Sequence, residues 1–342
     1  MLVKGYVVTL KKAAMLMAVL VLIGCTSENS LQVQLFSGRA LGTSYNVRFV
    51  GNESQKSGLQ KGSDRILNQI NKSMSTYLPH SELNQLNEFN GSDWVSISED
   101  FSNVIQISQN ISHLSGGAFD ITVGPLVDLW GFGPKGRREM IPEAAELSRI
   151  QTEIGYQALT LSEDNKSIRK LRPRQLDLSA VAKGYAVDKI ADYLTSKGIE
   201  SYLVEVGGEM RLKGTKPNGD KWNIAIETPD SSARGVYKVI PITDVAIATS
   251  GDYRNYFEQD GVRYSHTLDP DTGYPITHSL ASVTVFTEKC ADADAWATAI
   301  SVLGVQPALA LAEKDNLAIL LIEKSGEDFI EHTSSAYKQL TN

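Results

Sequence analysis

The sequence predicts an α+β protein: one compact unit, with room for two lobes, of mixed or antiparallel sheets packed by helices. Three observations carry this. Segments with period-two apolar alternation and segments with helical apolar spacing are interspersed, without the regular strand–helix alternation of a doubly wound sheet. Hydrophobic residues make up 42% of the 342 residues and charged ones 21%, a balance that allows a sizeable core. No internal repeat and no linker interrupts the chain after residue 35.

The elements follow in order. Over 43–50, Tyr45, Val47 and Phe49 alternate with polar neighbours, the pattern of a half-buried strand. Ile66, Leu67, Ile70 and Met74 then recur at helical spacing, and the helix must stop before Pro79. Ser98 is suited to cap a second helix bearing Phe101, Val104, Ile105, Ile111 and Leu114, closed by Gly116-Gly117. A third helix is expected over 179–197, capped by Ser179 and ended by Gly198. Strands are expected at 202–206, 222–227, 236–240 and 283–287. Helices at 292–303 and 307–313 and a strand at 317–323 complete the pattern.

The N-terminus stands apart. Lys4, Lys11 and Lys12 precede an apolar run over 13–23, the length of a signal-peptide core and short for a membrane span. The run ends in Leu22-Ile23-Gly24-Cys25, which resembles a bacterial lipobox. That resemblance implies a signal peptide over 1–24, lipidation of Cys25, and a polar tether before a domain over 37–342. Cleavage before Cys25 removes three lysines and no acids, leaving 30 basic against 40 acidic residues, a net charge of −10. Such a surface argues against nucleic-acid binding. Cys290 is the one other cysteine, so a lipidated Cys25 leaves no internal disulfide.

The motifs are weighed next. Gly131-Phe132-Gly133-Pro134-Lys135-Gly136 fits the dinucleotide pattern G-x-G-x-x-G, but Pro134 and the charged Arg137-Arg138-Glu139 replace the helix that pattern requires. It reads as an ordinary glycine-rich loop. The five histidines show no metal-ligand spacing, which argues against zinc. Asp294 and Thr298 lie four apart on one helix face, where oxygens could meet a hard cation, although an acid in a first turn is more often a cap. Lys183 falls near the electropositive start of its helix, a poor place for a cation unless an anion binds there too. The bland alternative is a lysine whose stem follows the surface.

Taken together, an ordered set of motifs resembles the ApbE family of FAD:protein FMN transferases. They include Ala40-Leu41-Gly42-Thr43, Met74-Ser75-Thr76-Tyr77, Gly117-Ala118-Phe119-Asp120 and Leu129-Trp130-Gly131-Phe132-Gly133. The stretch from Asp177 to Asp188, Val204-Glu205-Val206-Gly207-Gly208-Glu209, Ser265-His266-Thr267-Leu268-Asp269-Pro270 and Ala291-Asp292-Ala293-Asp294-Ala295 continue the series. The match runs from about residue 37 to beyond 300.

The resemblance implies a T-fold-related α+β unit holding FAD in a cleft with Mg2+ at its pyrophosphate. FAD contacts are implied at Leu41, Tyr77, Ala118, Phe119, Asp120, Asp177, Lys183 and Leu268. Magnesium ligands are implied at the Ala180 carbonyl, Asp294 and Thr298, with the backbone of Ala297 as a secondary candidate. Asp294 and His266 are the candidates to take the proton from an attacking hydroxyl. The family often carries methionine where Leu41 stands, a swap that conserves volume and apolar character.

The implied reaction splits FAD, attaches FMN to a serine or threonine of an acceptor protein and releases AMP. Implied acceptors are subunits of membrane redox complexes of the Nqr and Rnf type. The implied location is exported and lipid-anchored, on the periplasmic face, with the inner membrane favoured. Two other readings use the same residues: a magnesium-dependent FAD pyrophosphatase, and a non-catalytic flavin-binding lipoprotein.

Overall fold

The computed structural model describes residues 31–136, 140–230, 235–251, 256–259 and 262–341. The signal-like segment, Cys25 and the charged run 137–139 lie outside the described residues. The described residues open with β1 (Gln32–Ala40), β2 (Thr43–Gly51), α1 (Glu53–Met74), α2 (Glu82–Glu88), β3 (Val95–Ser96) and α3 (Glu99–Leu114). Next come α4 (Gly124–Leu129), α5 (Ala144–Gln151), β4 (Leu159–Leu161), β5 (Ser167–Lys170) and α6 (Ala182–Ser196). A run of strands follows: β6 (Tyr202–Val206), β7 (Glu209–Lys213), β8 (Trp222–Glu227), β9 (Val236–Ile242) and β10 (Val245–Gly251). After β11 (Tyr256–Gln259), β12 (Val262–Ser265) and β13 (Leu280–Thr287) come α7 (Cys290–Leu303), α8 (Val305–Lys314), β14 (Ala318–Ser325), β15 (Asp328–Thr333) and α9 (Ser335–Thr341).

Eight strands form one sheet in the order β1-β2-β6-β7-β10-β13-β14-β15, with every neighbouring pair antiparallel. Period-two alternation divides its side chains between two cores. Val204, Ala246, Val285 and Leu321 face a large core shared with α1, α3, α6 and α7. Leu203, Ile247, Phe286 and Leu320 face a smaller one, covered by the β8–β9 hairpin and Tyr337 of α9. With both faces covered, β13 and β14 read as nearly continuous apolar runs.

The α+β expectation holds, with antiparallel pairing throughout the main sheet. The predicted strands at 202–206 and 222–227 appear with those bounds. Ser98 caps α3, its hydroxyl accepting from the Phe101 amide at 3.3 Å, and Gly116 and Gly117 adopt positive φ after it. The first strand is the main omission. β1 begins at Gln32, inside the stretch read as tether.

One local expectation is corrected. Ser179 does not cap the third helix, which starts at Ala182 with Val181 in the cap position. The Ser179 amide instead donates to Asp177 Oδ1 at 2.8 Å, tying residues 177–179 into a turn that competes with helix. The glycine-rich segment 131–136 follows α4 and not a strand, in keeping with its reading as a loop.

Candidate active site

Helices α6 and α7 meet at their N-termini, and neither has a side-chain cap of its own. Each caps the other. Asp188 of α6 accepts from the amides of Cys290 and Ala291, both at 3.0 Å. Asp294 of α7 accepts from the Gly184 amide of α6 at 2.9 Å. Arg211 of β7 holds Asp188 from behind at 3.0 Å. This crossing needs Gly184: a Cβ there would stand 2.3 Å from the Cys290 carbonyl oxygen and 2.8 Å from Asp294 Cβ.

Lys183, the second residue of α6, is placed by this crossing. Its Nζ lies 3.4 Å from Glu209 Oε1 and 3.6 Å from Asp294 Oδ1, and donates to the Ser179 carbonyl at 3.1 Å. Burial acts to lower its pKa, but Asp294 and Glu209 outweigh that and hold it raised, so Lys183 stays charged. Glu209 follows the Gly207-Gly208 turn between β6 and β7, where both glycines have positive φ. Its Oε2 is buried without a hydrogen-bond partner. Burial, helped by Asp294 and opposed by Lys183, pushes the Glu209 carboxyl up to about 8.

These groups open onto a cleft of ≈ 430 Å3. Tyr77, Ala118, Phe119, Asp120, Asp177, Ala180, Lys183, His266, Leu268, Asp294 and Thr298 all line it, from distant parts of the chain. Leu41 and Ala297 are not among the lining residues. Leu41 occupies the β1–β2 turn with φ +52, a left-handed conformation unusual for leucine. Ala297 is fully buried in α7, and its carbonyl accepts from the Ser301 hydroxyl at 2.8 Å.

The two aromatic residues among the implied FAD contacts differ. Tyr77 is 71% exposed, whereas Phe119 is 2% exposed and belongs to the core, so only Tyr77 presents an open ring face. Asp120 is committed to its own loop: Oδ1 accepts from the Thr122 amide and hydroxyl, both at 2.7 Å, and Oδ2 from the Tyr156 amide at 2.9 Å. Burial raises its pKa, against the pull of those bonds. His266 meets Phe132 edge-on, with ring centroids 6.3 Å apart.

Asp294, the Thr298 hydroxyl and the Ala180 carbonyl offer oxygen donors of the kind a hard cation takes. Glu209 Oε2 adds a buried, unpartnered carboxyl oxygen that a cation would satisfy. Among the described residues no cluster of three or more His, Cys, Asp or Glu is arranged to hold a metal. An ion here would therefore depend on neutral oxygens, water and ligand phosphate, as magnesium commonly does.

Sequence reasoning assigned no role to Glu209, although its motif was in view. The available signal was the Gly-Gly pair, which makes a two-residue turn and sets Glu209 opposite Val206 at the start of β7. Its pKa yields a prediction. Between about pH 4.5 and about 8 the folded chain keeps a proton that the unfolded chain has lost, so stability falls as pH rises through that window. Glu209→Gln is neutral throughout and is expected to flatten that fall. Asp120 and Asp188, also raised by burial, contribute in the same direction. Urea midpoints at a series of pH values in metal-free buffer provide the check.

A lysine held charged between two acids, facing a cleft lined by hydroxyl and carbonyl oxygens, defines a class: an enzyme acting on a phosphorylated ligand. The chain belongs to the ApbE family, whose family model matches residues 41–321. A Vibrio cholerae protein named FAD:protein FMN transferase is 44% identical over 325 residues, covering 94% of this chain and 96% of that one. The Escherichia coli K12 protein of the same name is 34% identical over 343 residues, covering 97% of each. Among solved structures, the flavin transferase ApbE of Vibrio cholerae superposes with a TM-score of 0.84 at 42% identity, covering 91% of this chain and 99% of that one. Pseudomonas stutzeri flavinyl transferase ApbE in its apo form also gives 0.84, at 38% identity, covering 91% and 97%.

Proposed function

We propose that this chain splits FAD and transfers FMN to a serine or threonine hydroxyl of an acceptor protein, releasing AMP, with magnesium at the pyrophosphate. The observation that carries this reading is Lys183, held charged between Glu209 and Asp294 at the start of α6. The acceptor oxygen forms a bond to the phosphorus next to riboflavin, and the bond from that phosphorus to the bridging oxygen breaks. AMP leaves with the bridging oxygen, and the hydroxyl proton passes to Asp294 or His266.

Lys183 binds the diphosphate and offsets its charge. Asp294, Thr298 and the Ala180 carbonyl are the proposed magnesium ligands. Bound magnesium would supply charge neutralisation and polarisation of the phosphoryl oxygen. Tyr77 stacks on a ring of FAD, and Ala118, Asp120, Asp177 and Leu268 shape its seat.

The deciding experiment incubates the protein with FAD, Mg2+ and a candidate acceptor domain. An FMN-sized mass increase on the acceptor with release of AMP is expected. Free FMN and AMP without an adduct would make the chain a pyrophosphatase, and neither product would leave a flavin binder. Tyr77→Ala is expected to weaken FAD binding about fivefold or more, the loss of roughly 1 kcal/mol of ring contact. Because Tyr77 is exposed, its melting temperature should hold, and a fluorescence titration measures the affinity.

We further propose that Cys25 carries a lipid and that the enzyme works on the outer face of a membrane, on subunits of Nqr- or Rnf-type complexes. Cys25→Ala is expected to move the protein from the membrane fraction to the soluble one with turnover in solution unchanged. An unchanged membrane fraction would overturn the anchor.

A further inference from the structure

Among the described residues β1 is an edge of the main sheet, paired with β2 alone. Val33 and Leu35 point to one face of it and are 41% and 44% exposed, and Leu31 just before the strand is 53% exposed. In the hairpin register Val33 stands opposite Val50 and Leu35 opposite Arg48, so these side chains share that face. Arg39 and Arg48 are exposed on it, and neither strand places an acid there. In a chain whose net charge after cleavage is −10, an apolar stripe flanked by two arginines is a local exception. That mixture suits an anionic lipid interface.

Chain length indicates the occupant. Cys25 precedes Leu31 by six residues, so a lipid on Cys25 keeps the start of β1 within about 20 Å of the bilayer. The far end of β1 comes close to Lys183, which lines the cleft. A Cβ at Gly207 would stand 2.9 Å from the Thr43 methyl, just past the β1–β2 turn, and 3.4 Å from Lys183 Cδ.

We propose that this face of the β1–β2 hairpin lies on the anionic surface of the bilayer that holds the anchor. The contact keeps the cleft beside the membrane instead of free on its tether, within reach of a membrane-embedded acceptor. It rests on the reading of Cys25 as lipidated.

The test uses the full-length lipidated protein on vesicles of phosphatidylcholine and phosphatidylglycerol. V33C and L35C carry an environment-sensitive dye, and I330C on β15, at the opposite sheet edge and 45% exposed, is the control. Cys290 is buried and does not compete for label. Dyes at 33 and 35 are expected to shift to the blue and to be quenched by headgroup-region nitroxide lipid about threefold more than at 330. Equal quenching with lipid present on Cys25, read by mass spectrometry, overturns the β1 contact alone. Absence of lipid on Cys25 overturns the anchor and this proposal together. FMN transfer to a soluble acceptor tests the proposed activity separately.

Discussion

Asp294→Ala is expected to abolish FMN transfer while leaving a folded protein. An FAD diphosphate carries about two negative charges, and an oxygen nucleophile must approach one of its phosphorus atoms. Asp294 is the anionic side chain among the proposed magnesium ligands, beside a neutral hydroxyl and a neutral carbonyl. Magnesium is held through few protein carboxylates, so removing this one should lower activity by more than about a hundredfold, the upper end for loss of an outer-shell partner. The side chain also accepts from Gly184, and an orphaned buried amide costs about 1–3 kcal/mol. The two roles separate by measurement. A variant that lost only the cap would melt lower but turn over near normally at saturating Mg2+. A variant that lost a ligand stays inactive at temperatures where it is folded. Near-normal transfer would remove the core of the proposed mechanism.

Gly184→Ala is expected to be the most damaging single-methyl change near the cleft. The new Cβ would fall 2.3 Å from the Cys290 carbonyl oxygen, a backbone atom that cannot rotate away. Helices α6 and α7 must separate, which costs about 1–3 kcal/mol as overpacking. The movement also pulls Asp294 from Lys183 and from the Gly184 amide. A displacement of roughly 1 Å in a catalytic constellation can cost about a hundredfold in rate. Gly58→Ala is the matched control: it lies within α1, and a Cβ there meets nothing within 4 Å. It should gain about 0.5–1 kcal/mol from helix propensity and keep full activity. Equal melting temperatures and rates for the two variants would show that the close crossing is not needed.

Much of the site was legible as residues before it was legible as geometry. Tyr77, Asp177, Lys183, His266, Asp294 and Thr298 were named from motifs, and all line one cleft. The misplacement of Ser179 as a cap shows where local rules end. A serine before an apolar helical run is a sound cap signal, but Asp177 captures its amide first, and the helix receives its cap from Asp294, 110 residues away. No sequence window contains that partner.

Periodicity, caps and turn glycines determined the element types, because they depend on contacts within a few residues. The alternation at 43–50 and the capped helix at Ser98 are of this kind. Tertiary structure alone decided that α6 and α7 cap each other, that Phe119 turns into the core while Tyr77 stays open, and that Glu209 is buried against Lys183. Each depends on the distance between groups far apart in the chain. The charge state of a buried carboxylate, in particular, follows from what surrounds it and not from its neighbours in sequence.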